Sequence, residues 1–219
     1  MKENFDIEEI IEELKSKRKV FTSEADLQLE IAQIIKNKYK NQNITVRLEY
    51  CPDFDSQMHI DILVIFNNKW IPIELKYKTR KFDYTDKDGC HYNLKEQSAQ
   101  DCGCYDYIKD ISRIEKIRDN KKDIFKAGYT IFITNDELYK KGPRSNNVSY
   151  AQFSLKDGRE NGISGTLKWN KNINGECTNS IELKSKYNIK WDDFSQLESE
   201  NNECENSKNF YILYNKIEP

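Results

Sequence analysis

The 219-residue chain has no apolar run near the ~20 residues of a membrane-spanning helix. Its opening stretch, MKENFDIEEIIEELKSKRK, lacks the continuous apolar core of a signal peptide. Together these absences lead to the expectation of a soluble cytoplasmic protein with no membrane partner. The chain also lacks a large charge of one sign. Lys and Arg total 35 against 37 Asp and Glu, a formal net charge of -2. That excludes attachment to nucleic acid by bulk charge alone, although a local basic groove can coexist with an acidic exterior. Paired cysteine spacing is missing too. The six cysteines are Cys51, Cys90, Cys102, Cys104, Cys177 and Cys204. Cys90-His91 followed by Cys102 and Cys104 is the nearest approach to a zinc set, but structural zinc sites usually space their ligands as C-x₂₋₄-C in pairs. Reduced thiols are the expectation. No internal repeat is present.

What the chain does have is clustered apolar residue and abundant aromatics, with 13 Tyr and 10 Phe. Its length suits one sizeable domain, or a core with an appendage. Apolar spacing over Phe5–Lys19 predicts an amphipathic first helix. TSEADLQLEIAQIIKNKY predicts a second, capped by Thr22 or Ser23, with Leu27, Ile31, Ile34 and Ile35 on its apolar face. NITVRLEY alternates as a half-buried strand, and HIDILVIF and WIPIELKYK follow as a hairpin around Asn67 and Asn68. A polar loop is expected from Thr79 to about Asn93. LKEQSAQDCGCYDYIKDISRIEKIRDN then reads as a long helix with Tyr105, Ile108, Ile111 and Ile114 inward, and AGYTIFITND as a strand buried on both faces. The order indicates an α/β class of fold built in α+β layers. Beyond Asp136, VSYAQFSL, GTLKW, SIELKSKYNIKW and NFYILYNKI read as short strands, and QLESENNECENSKN as a polar loop. The division is a core over 1–136 and a β-rich extension over 137–219, packed on the core as one domain.

The hairpin carries three residues that a core strand does not need: Asp61, Glu74 and Lys76. Strand side chains alternate faces, so Glu74 and Lys76 share one face, while Ile71, Ile73, Leu75 and Tyr77 take the other. A two-residue turn at Asn67 and Asn68 sets Asp61 opposite Glu74; a turn two residues longer sets it opposite Lys76. Opposed carboxylates ~5 Å apart repel. A hard cation such as Mg²⁺ between them removes that cost and retains its waters. A lysine one pleat further can meet a water or a phosphate oxygen. Phosphodiester hydrolysis needs that combination: a metal to acidify the water and offset developing charge, and a lysine to orient it.

The pattern Asp61…Glu74-Leu75-Lys76 resembles the core motif of the PD-(D/E)XK nuclease superfamily, which includes restriction endonucleases, junction resolvases and recombination exonucleases. The predicted order from Ser23 to Asp136 is similar to that family's core: a helix, three antiparallel strands, a helix and a fourth strand. The resemblance implies a restriction-endonuclease-like core with extra C-terminal strands, and a Mg²⁺- or Mn²⁺-dependent deoxyribonuclease. One departure concerns the family's Pro-Asp dipeptide. Pro52-Asp53 stands at the end of the first strand, so Asp61, preceded by Ile60, is taken as the ligand and Asp53 is set aside. Members also place a Glu on the first core helix. Here Glu24 is favoured over Glu30, which makes Asp61, Glu74 and Glu24 the implied metal set. A Gln near the start of the second core helix approaches the site in some branches, which singles out Gln97 and Gln100. Asp110, Arg113 and Glu115 read instead as a salt-bridge set that packs the helix.

For the substrate, Lys78, Arg80 and Lys81 after the hairpin, and Lys140, Lys141 and Arg144 after the fourth strand, are candidate phosphate contacts, with Tyr77 and Phe82 as stacking platforms for unpaired bases. The expected partners are DNA and a second copy of the chain. The rival reading is a binding module on the same fold, for nucleic acid or protein, that does not cut.

Overall fold

The computed structural model describes residues 4–145, 147–170, 179–197 and 207–219. Helix α1 (Ile7–Lys17) starts where the Asp6 carboxylate accepts from the Glu8 and Glu9 N–H groups. Helix α2 (Glu24–Lys38) is capped by Ser23, which accepts from the Asp26 N–H. Strands β1 (Ile44–Tyr50), β2 (Ile60–Phe66) and β3 (Lys69–Lys78) follow as an antiparallel meander. The β2–β3 turn is the two-residue one. Phe66 pairs with Lys69, and Asn67 and Asn68 both have positive φ, 50° and 62°, as a type I′ turn requires.

The expected polar loop after β3 is instead a second hairpin, β4 (Phe82–Thr85) and β5 (His91–Leu94). Its Phe82, Tyr92 and Leu94 are buried in the core beside α2. The segment alternates apolar and polar residues on each side of an Asp-Gly turn, and its polar half faces water. Consequently helix α3 (Gln100–Asn120) begins six residues later than Leu94, after Ala99 in a left-handed conformation. Strand β6 (Gly128–Thr134) is buried along its whole length and runs parallel to β3. A short helix α4 (Glu137–Lys141) follows.

In the last third, the expected strand VSYAQFSL is a 3₁₀ turn at Ala151–Phe153. Strands β7 (Ile163–Leu167) and β8 (Ile181–Tyr187) form a two-stranded sheet against α3. Strands β9 (Trp191–Gln196) and β10 (Asn209–Ile217) enter the main sheet, whose order is β1-β2-β3-β6-β10-β9. Within the polar loop read from the sequence, 198–206 lie outside the described residues. The molecule is therefore an α+β fold on a mixed sheet. One face buries Ile62, Val64, Ile71, Ile73 and Ile131 under α1 and α2; the other buries Leu63, Phe132 and Leu213 under α3. No helix among the described residues is long and apolar enough to cross a membrane.

Gly103 lies inside α3 because nothing larger fits. A Cβ there would come 2.2 Å from the Tyr139 hydroxyl of α4.

Candidate active site

Strand β3 outruns β2. Their last ladder pair is Ile62 with Ile73. Past that point the β2-side N–H groups of β3 would be orphans, and buried orphans are costly. Side chains take them in turn. The Leu75 N–H donates to the Asp61 carboxylate at 2.6 Å. The Tyr77 N–H donates to Glu24 at 2.8 Å, the Thr79 N–H to the Gln97 side-chain oxygen at 2.9 Å, and the Lys81 N–H to Glu96 at 3.0 Å. The splayed edge of β3 thus gathers Asp61, Glu24 and Gln97 into one row.

Glu74 and Lys76 project from β3 toward α3, as strand parity predicts. There they meet two helix residues. The Lys76 ammonium is 3.2 Å from Asp110, and the Arg113 guanidinium lies 3.2 Å from Glu74 and 3.3 Å from Asp110. Arg113 also donates to the His59 carbonyl, which ties the helix to the start of β2. Glu74 is 1 % exposed, and its Oε1 accepts no hydrogen bond of good geometry despite the nearby guanidinium.

Four carboxylates, Glu24, Asp61, Glu74 and Asp110, therefore surround two cations, Lys76 and Arg113. The proton affinities record the imbalance. Burial, then Asp110 and Glu24, push Asp61 up to about 6 against the opposing Leu75 N–H bond and Lys76. Burial, then Asp110 and Asp61, hold Glu74 well above the ordinary carboxylate range. Burial also raises Glu24 and Asp110. Burial works against the Lys76 ammonium, but Asp110 and Glu24 outweigh it and the group is raised. That carboxylates and ammonium alike are raised marks a buried polar cluster with negative charge to spare.

The other residues weighed in the sequence take these positions. Glu30 pairs with Arg18 at 3.4 Å. Asp53 pairs with Lys121 on the exterior. Gln100 donates to Asp136, which also caps α4 and pairs with Arg80. Lys78 follows Lys76 on β3, half-buried, and its charge acts on Glu24. The Lys81 side chain and Arg144 are exposed. Lys140 lies over the Tyr211 ring with Asp193 3.9 Å away, and Lys141 pairs with Glu137. Tyr77 and Phe82 cannot stack on bases. Both are core residues, Tyr77 with its hydroxyl donating to the Phe21 carbonyl.

Asp110 and Arg113 form the expected ion pair, but it lies at the site rather than only packing the helix. They belong to the cluster, whereas Glu115 alone packs, accepting from the Lys184 and Ser185 N–H groups and the Tyr187 hydroxyl. The signal was present. Gly103, Tyr107, Asp110, Ile114 and Ile117 fall at alternating spacings of four and three, so Asp110 occupies a core position of the helix. A charged residue in an apolar stripe needs a partner.

A cleft of about 600 Å³ opens beside the cluster, with Asp61 and Arg113 in its lining. Among the described residues, no group of three acidic, histidine or cysteine side chains forms a ready-made metal cage, the Cys90–Cys104 stretch included. No family model, curated protein or solved structure matches the chain.

Proposed function

We propose that the chain is a metal-dependent nuclease hydrolysing DNA phosphodiester bonds. The observation that carries this reading is the convergence of Asp61, Glu74 and Lys76, from the two strands of one hairpin, in a buried cluster with more acid than base. Apart from the inserted β4–β5 hairpin, the order α2, three antiparallel strands, α3 and the parallel strand β6 supports it, being similar to the PD-(D/E)XK core. The donor set fits a hard divalent cation. Its members are all carboxylates, and the unsatisfied Glu74 oxygen is the acceptor such an ion would use. Asp61 and Glu74 would hold Mg²⁺ or Mn²⁺, with Glu24 at the edge. When bound, the ion supplies charge neutralisation and an acidified water.

The chain's own residues do the rest. Asp110 positions the Lys76 ammonium through their ion pair. Lys76 orients the attacking water and meets the charge that builds on the phosphoryl oxygens. That interaction is stronger in the transition state than in the ground state, so it acts on rate. Gln97 fixes the end of β3 through Thr79. Arg113 neutralises Glu74.

That last pair favours a second reading. With Arg113 on Glu74 and Lys76 on Asp110, the cluster is partly self-neutralised, as in a binding module that does not cut. Cleavage of labelled DNA with Mg²⁺ and with EDTA separates the two. Glu74→Ala and Lys76→Ala should each lose at least about a hundredfold in cleavage rate, with nucleic-acid affinity within a few-fold of wild type. A wild-type protein that binds DNA and leaves it intact under every metal condition establishes the module. Variants that cut at the wild-type rate place the chemistry elsewhere.

A further inference from the structure

The cleft beside the cluster has two unlike walls. One comes from the β1–β2 side and presents acids, among them Glu49 and Asp55. The other is helix α3, which presents Lys109, Ser112, Arg113 and Lys116. These positions are spaced by three or four residues and therefore share one helix face. None belongs to the basic residues that the sequence singled out for substrate.

We infer that this cleft holds one strand of nucleic acid by its phosphates, laid along the Lys109–Arg113–Lys116 face of α3. The inference rests on the nuclease reading, in that it gives the same site its substrate path. Seven residues of helix span about 10 Å. A duplex carries one phosphate per roughly 3.4 Å of axis on each strand, so a strand laid along that length presents about three phosphates, to Lys109, Lys116 and the part of Arg113 that its pairs with Glu74 and Asp110 leave exposed. Continuity supplies the second argument. Arg113 lies both in the cleft lining and against Glu74, so a strand following the helix face is delivered to the carboxylates. Availability is the third. Lys109 is exposed and has no ion-pair partner among the described residues. Lys116 holds only Asp55, at 2.8 Å, in an exposed pair. Such pairs contribute ~1 kcal/mol or less and exchange readily for a phosphate. The acids of the opposite wall turn the backbone toward α3. Among the described residues no Phe, Tyr or Trp lines the cleft and the His59 imidazole is its one ring, so recognition runs mainly through phosphate.

The test is an anisotropy titration of short labelled DNA and RNA single strands in EDTA, over a range of salt. Lys109→Ala and Lys109→Ala/Lys116→Ala are compared with wild type, with melting temperature as the control for folding. The double variant should bind about tenfold more weakly at low salt. Its log K against log salt slope should fall by roughly 1.4, since each phosphate contact on a single strand contributes about 0.7. Lys109→Ala should lose about half of that slope change. The DNA and RNA arms report which backbone is preferred. Wild-type affinity and slope in the double variant overturn the inference, and so does binding lost instead in Lys140→Ala/Arg144→Ala. Absence of any binding by wild type also overturns it. A wild type that never cuts, yet loses binding in the double variant, removes the nuclease reading and leaves the strand path standing.

Discussion

At the residue scale, the cluster is a place where the fold holds charge at a cost. Asp61 is raised from 3.8 to about 6 by burial and its acidic neighbours. The sign follows from proton counting. Between those values the folded protein binds more protons than the unfolded chain, so stability falls as pH rises through the window, then levels off. Glu74 is raised in the same sense. Asp53 and Asp55 are lowered by their Lys121 and Lys116 hydrogen bonds, but both pairs face solvent, which screens them, and add little. With EDTA present, the urea midpoint should therefore be higher near about pH 4.5 than near about pH 7.5, with Asp61 responsible for about 2 kcal/mol over that interval. Asp61→Asn keeps an oxygen for the Leu75 N–H and removes the charge. It should stabilise the metal-free protein near neutral pH by about 1–2 kcal/mol, flatten the pH slope and lose cleavage. An unchanged slope in Asp61→Asn would mean that another group sets it.

At the element scale, legibility depended on periodicity. The β2–β3 hairpin was readable because two asparagines punctuate two alternating strands, so parity alone put Glu74 and Lys76 on one face. Nothing in the sequence indicated that β2 would leave β3 after Ile62, which lets Asp61, Glu24 and Gln97 fill the vacated ladder positions. That is a tertiary outcome of strand length. The β4–β5 hairpin was hidden by its polar face, and Asp110 by its i,i+3 spacing from Arg113, which alone suffices for an ordinary helix ion pair. Helix α3 also contains a testable fit. The Tyr139 hydroxyl is buried without a hydrogen-bond partner among the described residues and sits where a Gly103 side chain would be. Gly103→Ala gains ~1 kcal/mol of helix propensity, but forces Tyr139 to move within a packed core at a cost of ~1–3 kcal/mol. A lowered melting temperature is expected. Tyr139→Phe removes an unsatisfied hydroxyl and should raise stability by about 1 kcal/mol. The double variant should recover most of the Gly103→Ala loss, because the first atom in the clash is gone. No recovery would place the strain in the helix backbone instead.

At the scale of the whole molecule, the boundary drawn at residue 136 does not follow the sheet. Strand β10 pairs with β6 on one side and β9 on the other, so the chain's last strand lies inside the sheet. Its Ile212 and Leu213 are fully buried, one on each face. Polar contacts run the same way. The Thr130 hydroxyl donates to the Tyr107 hydroxyl, which donates to Asn215, and the Asn215 amide donates to the Asn188 carbonyl. That buried chain ties β6, α3 and β10 together. Glu115 ties α3 to β8. The helix that brings Asp110 and Arg113 to the site is therefore held from the C-terminal third, although the nuclease-like motif lies wholly in the first part. A fragment ending at Asp136 would strip the β8 side of α3 and leave the β6 edge and the Tyr107 hydroxyl without their β10 partners. Each such group costs ~1–3 kcal/mol, against a total stability of only ~5–15 kcal/mol for a domain. The fragment should show no cooperative urea transition by far-UV circular dichroism and no cleavage. Adding residues 137–219 as a separate chain should restore both, if it restores either, because strand pairing and site assembly are one event. A fragment that folds cooperatively alone would show that α3 finds its position without β8 and β10. Asp110 and Arg113 would then owe their placement to β3 and β6.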